Sequence, residues 1–265
     1  QFLDARTNAD VGILFDWDNW WALELCSGPT KDMDYLLQVA HYYRAFHKQN
    51  IAMDIVKFTG DLDSYKIVVA PLVYMINSRL AERLTKFVEN GGILIGTYMT
   101  GLADETDRCI FGAYPGPLRD VFGLWVEETD ALYPEETNQI IMENKERQSY
   151  SCSFLCDRLR LENAKALAVY GSDFYAGEPC VTKNEYGKGK AYYLGTQPDE
   201  TFLKMFVHSV CEKADVHPVL QVEEGIEVTS RENENGKFYF VLNHNTTEKQ
   251  IILPEGRWKN LIGAQ

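Results

Sequence analysis

Basic residues are in short supply: 26 Lys and Arg stand against 39 Asp and Glu in 265 residues, for a formal net charge of −13. Such a surface repels nucleic acid and anionic lipid, so neither is expected as a partner. Long apolar runs are missing too. None approaches the roughly 20 residues a membrane-spanning helix needs, and no signal-peptide pattern opens the chain. Cysteines number six, at 26, 109, 152, 156, 180 and 211, too irregularly spaced for a disulfide scaffold. Cys152 and Cys156 form a C-x3-C pair, but no second pair completes a four-ligand zinc site. No metal or other cofactor is therefore expected, and the thiols read as packing residues in a cytoplasmic protein. The first residue is Gln1 rather than Met, as in a piece cut from a longer chain.

What is present is an α/β pattern. Lys66-Ile-Val-Val-Ala-Pro71 and Gly92-Ile-Leu-Ile-Gly-Thr97 are continuously apolar and β-branched, which is how strands buried on both faces of a parallel sheet read. Between them Leu80, Leu84, Phe87 and Val88 recur at helical spacing, with Ser78 as the expected N-cap and Asn90-Gly91-Gly92 as the stop. Strands are also expected over 11–16 and 51–56, and a helix over 34–49 with Leu36, Val39, Ala40, Tyr43 and Phe46 as its buried stripe. The order is β-α-β-β-α-β, a doubly wound sheet of flavodoxin-like or amidotransferase-like type.

In such sheets ligands collect at the carboxyl ends of the strands. After Ile95 stands Thr97-Tyr98-Met99-Thr100-Gly101, with no Cys, Ser or His. After the first strand comes Trp17-Asp-Asn-Trp-Trp-Ala-Leu-Glu24, where Trp17, Trp20 and Trp21 share one helical face. Three indoles suit a packed interface or a sugar-stacking platform, and the interface is the simpler account. Asp16, Asp18 and Glu24 could form a metal or acid/base cluster, but acids at a helix start more commonly complement its dipole.

Beyond Gly101 the pattern turns irregular, with an acidic loop at 104–107, a Gly/Pro-rich loop at 112–119 and apolar β-prone runs at 139–142 and 165–171. Residues 179–195 read as a hairpin turning at Gly187-Lys188-Gly189. Its lysines and glycines resemble an anion site, although a plain turn is simpler. Asp199 caps a helix lined by Phe202, Phe206 and Val210. From 216 a small all-β unit is expected, with strands at 225–230, 237–242 and 250–254.

Several stretches together resemble the C-terminal part of family 42 glycoside hydrolases, the bacterial β-galactosidases: I-L-F-D-W-D-N-W-W-A-L-E (13–24), V-A-P-L-V-Y (69–74), F-V-E-N-G-G (87–92), T-Y-M-T-G (97–101), Y-P-G-P-L-R (114–119), D-F-Y-A-G-E-P (173–179) and N-E-Y-G-K-G-K-A-Y-Y-L-G-T (184–196). The resemblance implies a trimerisation domain over 1–215 and the start of a C-terminal β domain over 216–265. It also implies a homotrimeric parent enzyme whose catalytic carboxylates and galactoside site lie in an upstream (β/α)8 barrel, absent here. The trimerisation domain is similar in fold to class I glutamine amidotransferases, whose nucleophilic Cys sits on an elbow after the strand matching 92–97. Tyr98 and Met99 stand there, so that chemistry is not expected. Non-catalytic scaffolding is the leading expectation, with Trp17, Trp20, Trp21 and Glu24 at an interface or pocket rim. The alternatives are a free-standing hydrolase using His208 or Glu24 with Asp104, and a carbohydrate-binding module built on the tryptophans.

Overall fold

The structure, a computed structural model, describes residues 3–26 and 28–262. Its first half runs β1 (Val11–Phe15), α1 (Trp17–Leu25), α2 (Tyr35–His47), β2 (Met53–Lys57), β3 (Ile67–Ala70), α3 (Ser78–Glu89) and β4 (Ile93–Thr97). A 3-10 turn at Gly116–Leu118 and the one-turn α4 (Arg119–Phe122) lead into β5 (Leu124–Ala131), β6 (Asn138–Met142), β7 (Ser149–Leu161), β8 (Lys165–Tyr170) and β9 (Pro179–Tyr186). Then follow β10 (Gly189–Leu194), β11 (Thr196–Pro198), α5 (Glu200–Lys213), β12 (Ile226–Asn233) and β13 (Gly236–Asn243).

The architecture is mixed α/β. One large sheet has the order β11-β7-β6-β8-β9-β10-β4-β3-β1-β2, with β5 also paired to β7, and β12-β13 form a separate two-stranded sheet. Strands β2, β1, β3, β4 and β10 are parallel, and from β9 onward the pairing is antiparallel. Alternation within the parallel strands splits the core in two. Val11, Ile13, Ile67, Val69, Ile93 and Ile95 meet α2 and α5 on one face. Leu14, Val68, Ala70 and Leu94 meet α3 on the other. Burial on both faces is why these strands read as unbroken apolar runs.

Several expectations need correcting. The N-cap of α3 is Asn77, whose Oδ1 accepts from Leu80 N at 2.9 Å; Ser78 is the first helical residue. The buried stripe of α2 is Tyr35, Gln38, Val39, Tyr42 and Phe46, leaving Leu36 and Tyr43 exposed. Two interlocking apolar stripes exist on this helix, and contact with α5 and the sheet decides between them. Strand β2 starts at Met53, because the chain leaving α2 is still turning at Asn50, whose φ is +55°. The run at 250–254 forms no strand. Unforeseen were β5 and the 13-residue β7, whose Phe154 bulges at φ +76°. The hairpin at 179–195 and the Asp199-capped helix are as expected.

The small unit is tied to the large one by Asn50. Its side chain donates to Ile226 O at 3.1 Å and accepts from Val228 N at 2.7 Å. Nearby, Glu227 of β12 faces His47 of α2 at 3.5 Å and His244 at 3.0 Å.

Candidate functional site

The carboxyl ends of the parallel strands are where an α/β sheet places its chemistry. At the end of β4, Thr97 Oγ1 accepts from Leu72 N at 2.8 Å, which locks the turn after β3. Asn19, wholly buried on α1, clamps that same turn by donating to Leu72 O at 2.9 Å and accepting from Met75 N at 2.9 Å. Met99 follows with φ +64°, a left-handed conformation that a non-glycine residue holds only where its surroundings enforce it. The turn after β4 thus holds a left-handed backbone and carries a thioether 2% exposed. Gly101, at φ +71°, closes the turn by donating to Val73 O at 2.7 Å, and a Cβ there would collide with the carbonyl oxygen of Pro115.

Above the elbow the structure is plugged. Tyr98 OH donates to Gln38 Oε1 at 2.7 Å, and Gln38 Nε2 donates to Gln197 Oε1 at 2.5 Å, joining β4, α2 and β11. Burial pushes the Tyr98 hydroxyl well above its ordinary pKa, helped by Tyr42 and Asp157, so it stays protonated as the donor. Beside it Asp157 is fully buried and accepts from Tyr114 OH at 2.8 Å, Thr129 Oγ1 at 2.7 Å and Tyr193 OH at 2.8 Å. Burial raises its pKa to about 6 against the pull of those three donors. An acid with all its oxygens engaged inside the core is structural, since nothing can reach it.

The sequence candidates are scattered. Trp17, Trp20 and Trp21 do cluster, with ring centroids 5.1 and 6.2 Å from Trp17, but only Trp20 packs against the core. Trp17 is 57% and Trp21 53% exposed. Asp16 caps α1 by accepting from Asp18 N and Asn19 N, at 3.0 and 3.2 Å, and Glu24 is exposed. His208 faces Glu212 on the outside of α5 at 3.5 Å. Asp104 is occupied by Thr106 and Arg108, and hydrogen bonds from Thr106 hold its pKa down at about 2. No contact brings His208, Glu24 and Asp104 together, which removes the geometric basis for a hydrolase built on them. Among the described residues no group of His, Cys, Asp and Glu can hold a metal ion.

Four of the six free thiols are buried, Cys26 is half-buried and Cys109 is exposed. Burial raises Cys26, Cys180 and Cys211, the last to about 12, and its partner Cys156 raises Cys152. Cys156 is moved down by the hydrogen bond from Cys152, yet it is wholly buried. Sequence reasoning missed Gln38, Gln197 and Asp157. A glutamine inside an otherwise apolar helical face was the one signal available for the first.

The fold is a mixed α/β domain whose turn after β4 carries Tyr98 and Met99. Residues 9–217 match the β-galactosidase trimerisation domain and residues 225–265 the β-galactosidase C-terminal domain. The chain belongs to the β-galactosidase trimerisation domain family, in the glycoside hydrolase family 42 β-galactosidases. It is 47% identical to β-galactosidase BgaP of Planococcus sp. (strain L4) over 99% of its own length and 39% of that protein. It is 44% identical to BgaB of Geobacillus sp. (strain Y412MC61) over 98% of its length and 38% of the relative's. Among solved structures, a β-galactosidase from Bacillus circulans sp. alkalophilus superposes with a TM-score of 0.90 at 43% identity, covering 92% of this chain and 36% of that one. The β-galactosidase of Rahnella sp. R3 gives 0.90 at 38% identity, covering 95% and 38%. The chain therefore spans well under half the length of the relatives it matches. No (β/α)8 barrel occurs among the described residues, and no helix there is long and apolar enough to cross a membrane.

Proposed function

We propose that this chain is the trimer-forming scaffold of a β-galactosidase, contributing subunit contacts while an upstream barrel binds and cleaves the galactoside. The observation that carries the reading is the match of residues 9–217 to the trimerisation domain. The proposed division is a trimerisation unit over 1–215 and a small β unit over 216–265, a reading the matches at 9–217 and 225–265 support. The strand order β2-β1-β3-β4-β10 supports a flavodoxin-like, amidotransferase-related origin for the first unit. A cytoplasmic setting suits the free buried thiols, which an oxidising compartment would put at risk.

Trp17 and Trp21, with Trp20 behind them and Glu24 alongside, form the contact or pocket rim in the parent enzyme. Rings more than half exposed in one chain are what an aromatic-rich interface core looks like before its partner arrives. In a ring of three, one contact is repeated three times, so a single anchor acts thrice per assembly. Truncating such an anchor typically costs about 2 kcal/mol or more per interface.

Sedimentation of the barrel-containing protein tests this. Trp20→Ala and Trp21→Ala should shift trimer toward monomer and lower galactoside turnover. Variants that stay trimeric at sub-micromolar concentration would remove the interface role. Retained trimers with lost affinity for galactose would move the tryptophans to sugar stacking. The chain alone should not hydrolyse a chromogenic galactoside, since retaining hydrolysis needs two carboxyl groups about 5 to 5.5 Å apart across the bond.

A further inference from the structure

The amino ends of the parallel strands carry a cavity of about 630 Å³, within the range of small-molecule sites. Its walls come from the starts of β3, β4 and β10 and the carboxyl ends of α3 and α5. Four lysines line it, Lys66, Lys188, Lys190 and Lys213, together with a single carboxylate, Asp63. Lys66 is engaged, with Asp10 at 3.2 Å and the carbonyl of Asp215 at 2.8 Å. Lys213 donates to Ser209 Oγ at 2.9 Å and has no carboxylate within ion-pair reach. Among the described residues neither Lys188 nor Lys190 forms an ion pair. In a chain with 13 more acids than bases, four lysines against one carboxylate in the lining of one cavity stand out, with Glu185 across the hairpin from Lys190 as the nearest further acid.

The neighbouring helices do not consume these charges. The last carbonyls of α3 are taken by backbone N–H groups of Asn90, Gly91 and Gly92, and Lys188 N donates to Glu89 O at 3.0 Å. The last carbonyls of α5 are taken by Ala214, Asp215 and Val216. The partial negative charge of two helix ends helps the lysines to gather. Burial, then the charges of Lys183 and Lys190, pull the Lys213 pKa down against the pull of Glu212. Local geometry is also fixed. Gly189 can only be glycine, since a Cβ would collide with the carbonyl oxygens of Val88 and Gly92, and this holds the 187–189 turn against α3.

We propose that this basic cavity at the amino edge of the sheet binds a small phosphoryl anion through Lys188, Lys190 and Lys213. Lysine serves as a point charge for phosphate, and three together exceed what one exposed ion pair supplies. The volume leaves room for an organic group beyond the phosphoryl oxygens.

Titration calorimetry on the 265-residue chain at constant ionic strength tests this, with inorganic phosphate, pyrophosphate and glucose 6-phosphate as separate probes. Dissociation constants on the order of 1 mM or tighter are expected for pyrophosphate. Amide shifts should be confined to Gly91, Gly92 and Gly189. Lys188→Gln/Lys213→Gln should weaken binding at least tenfold, and Lys204→Gln, remote from the cavity, should leave it unchanged. Lys188→Gln alone, in an exposed turn, should weaken it at least threefold and serves if the double variant is unfolded. Glucose 6-phosphate binding more tightly than inorganic phosphate assigns the source to an organic phosphate; equal binding assigns it to the free ion. Absence of heat and of amide shifts at 10 mM probe, or equal binding by all variants, overturns the proposal.

Discussion

The two ends of the parallel strands are opposites. At the carboxyl ends of β3, β4 and β10 the chain is sealed: Asn19 and Thr97 lock the turn, Tyr98, Gln38 and Gln197 bridge it, and Met99 fills the elbow. At the amino ends the surface opens into a lysine-lined cavity. The usual rule for open α/β sheets places ligands at the carboxyl edge. Here that edge holds a left-handed backbone at Met99 and packing side chains around it. Fold fixes where a turn can exist, while side chains decide whether it does anything.

The contrast can be broken from the sealed end. Gly101→Ala should have the largest effect, because it adds left-handed strain and a collision with Pro115 together. A loss of about 3 kcal/mol or more is expected in urea unfolding. A change under 1 kcal/mol would mean the elbow is not held as described.

Next is the pH response of Asp157. Its folded pKa, about 6, lies above the 3.8 of a free carboxyl. The native state therefore binds the proton more readily than the unfolded chain. The stability this provides is complete below about pH 3.8 and is lost as pH rises through about 6. Relative to Asp157→Asn, the parent chain should lose up to about 3 kcal/mol between pH 4 and 7. Parallel stability profiles for the two proteins would refute a buried, perturbed acid.

Tyr98→Phe should cost about 1–3 kcal/mol, since Gln38 is left with an unpaired buried oxygen. Hydrogen exchange should rise locally across β4 and β11. An unchanged melting temperature would mean that water replaces the hydroxyl and that the edge is not sealed. The smallest effect is expected for Trp21→Ala on the stability of the single chain, about 0.5 kcal/mol or less, because that ring is half in solvent. A large loss would make it a fold residue and sharpen the separation from Trp20, which packs on the core.

Legibility in the sequence followed burial. Strands β1, β3 and β4 were plain because both faces are covered, and the cap Asp199 was plain because a short acid before an apolar stripe has one good use. Strand β7 was not legible. Its sequence mixes cysteines with Asp157, Arg158 and Arg160, and its pairing changes along its length from β6 to β11 to β5. No period of two survives a bulge at Phe154. Arg158 sits in that strand with Glu178, just before β9, and Glu128 of β5 neutralising it at 2.8 and 2.9 Å, partners that are distant in sequence.

At the turn after β4, the sequence alone determined that Thr97-Tyr98-Met99-Thr100-Gly101 carries no Cys, Ser or His. It also determined the helical period that puts three tryptophans on one side of α1. Tertiary structure decided which of them meet solvent, which of two apolar stripes on α2 turns inward, and that Gln38 and Gln197 meet across 159 residues. It also decided that Lys66, Lys188, Lys190 and Lys213 face one cavity. Local propensity acts over a turn of helix or a strand; contacts between distant segments depend on how layers pack, and only the assembled sheet specifies that.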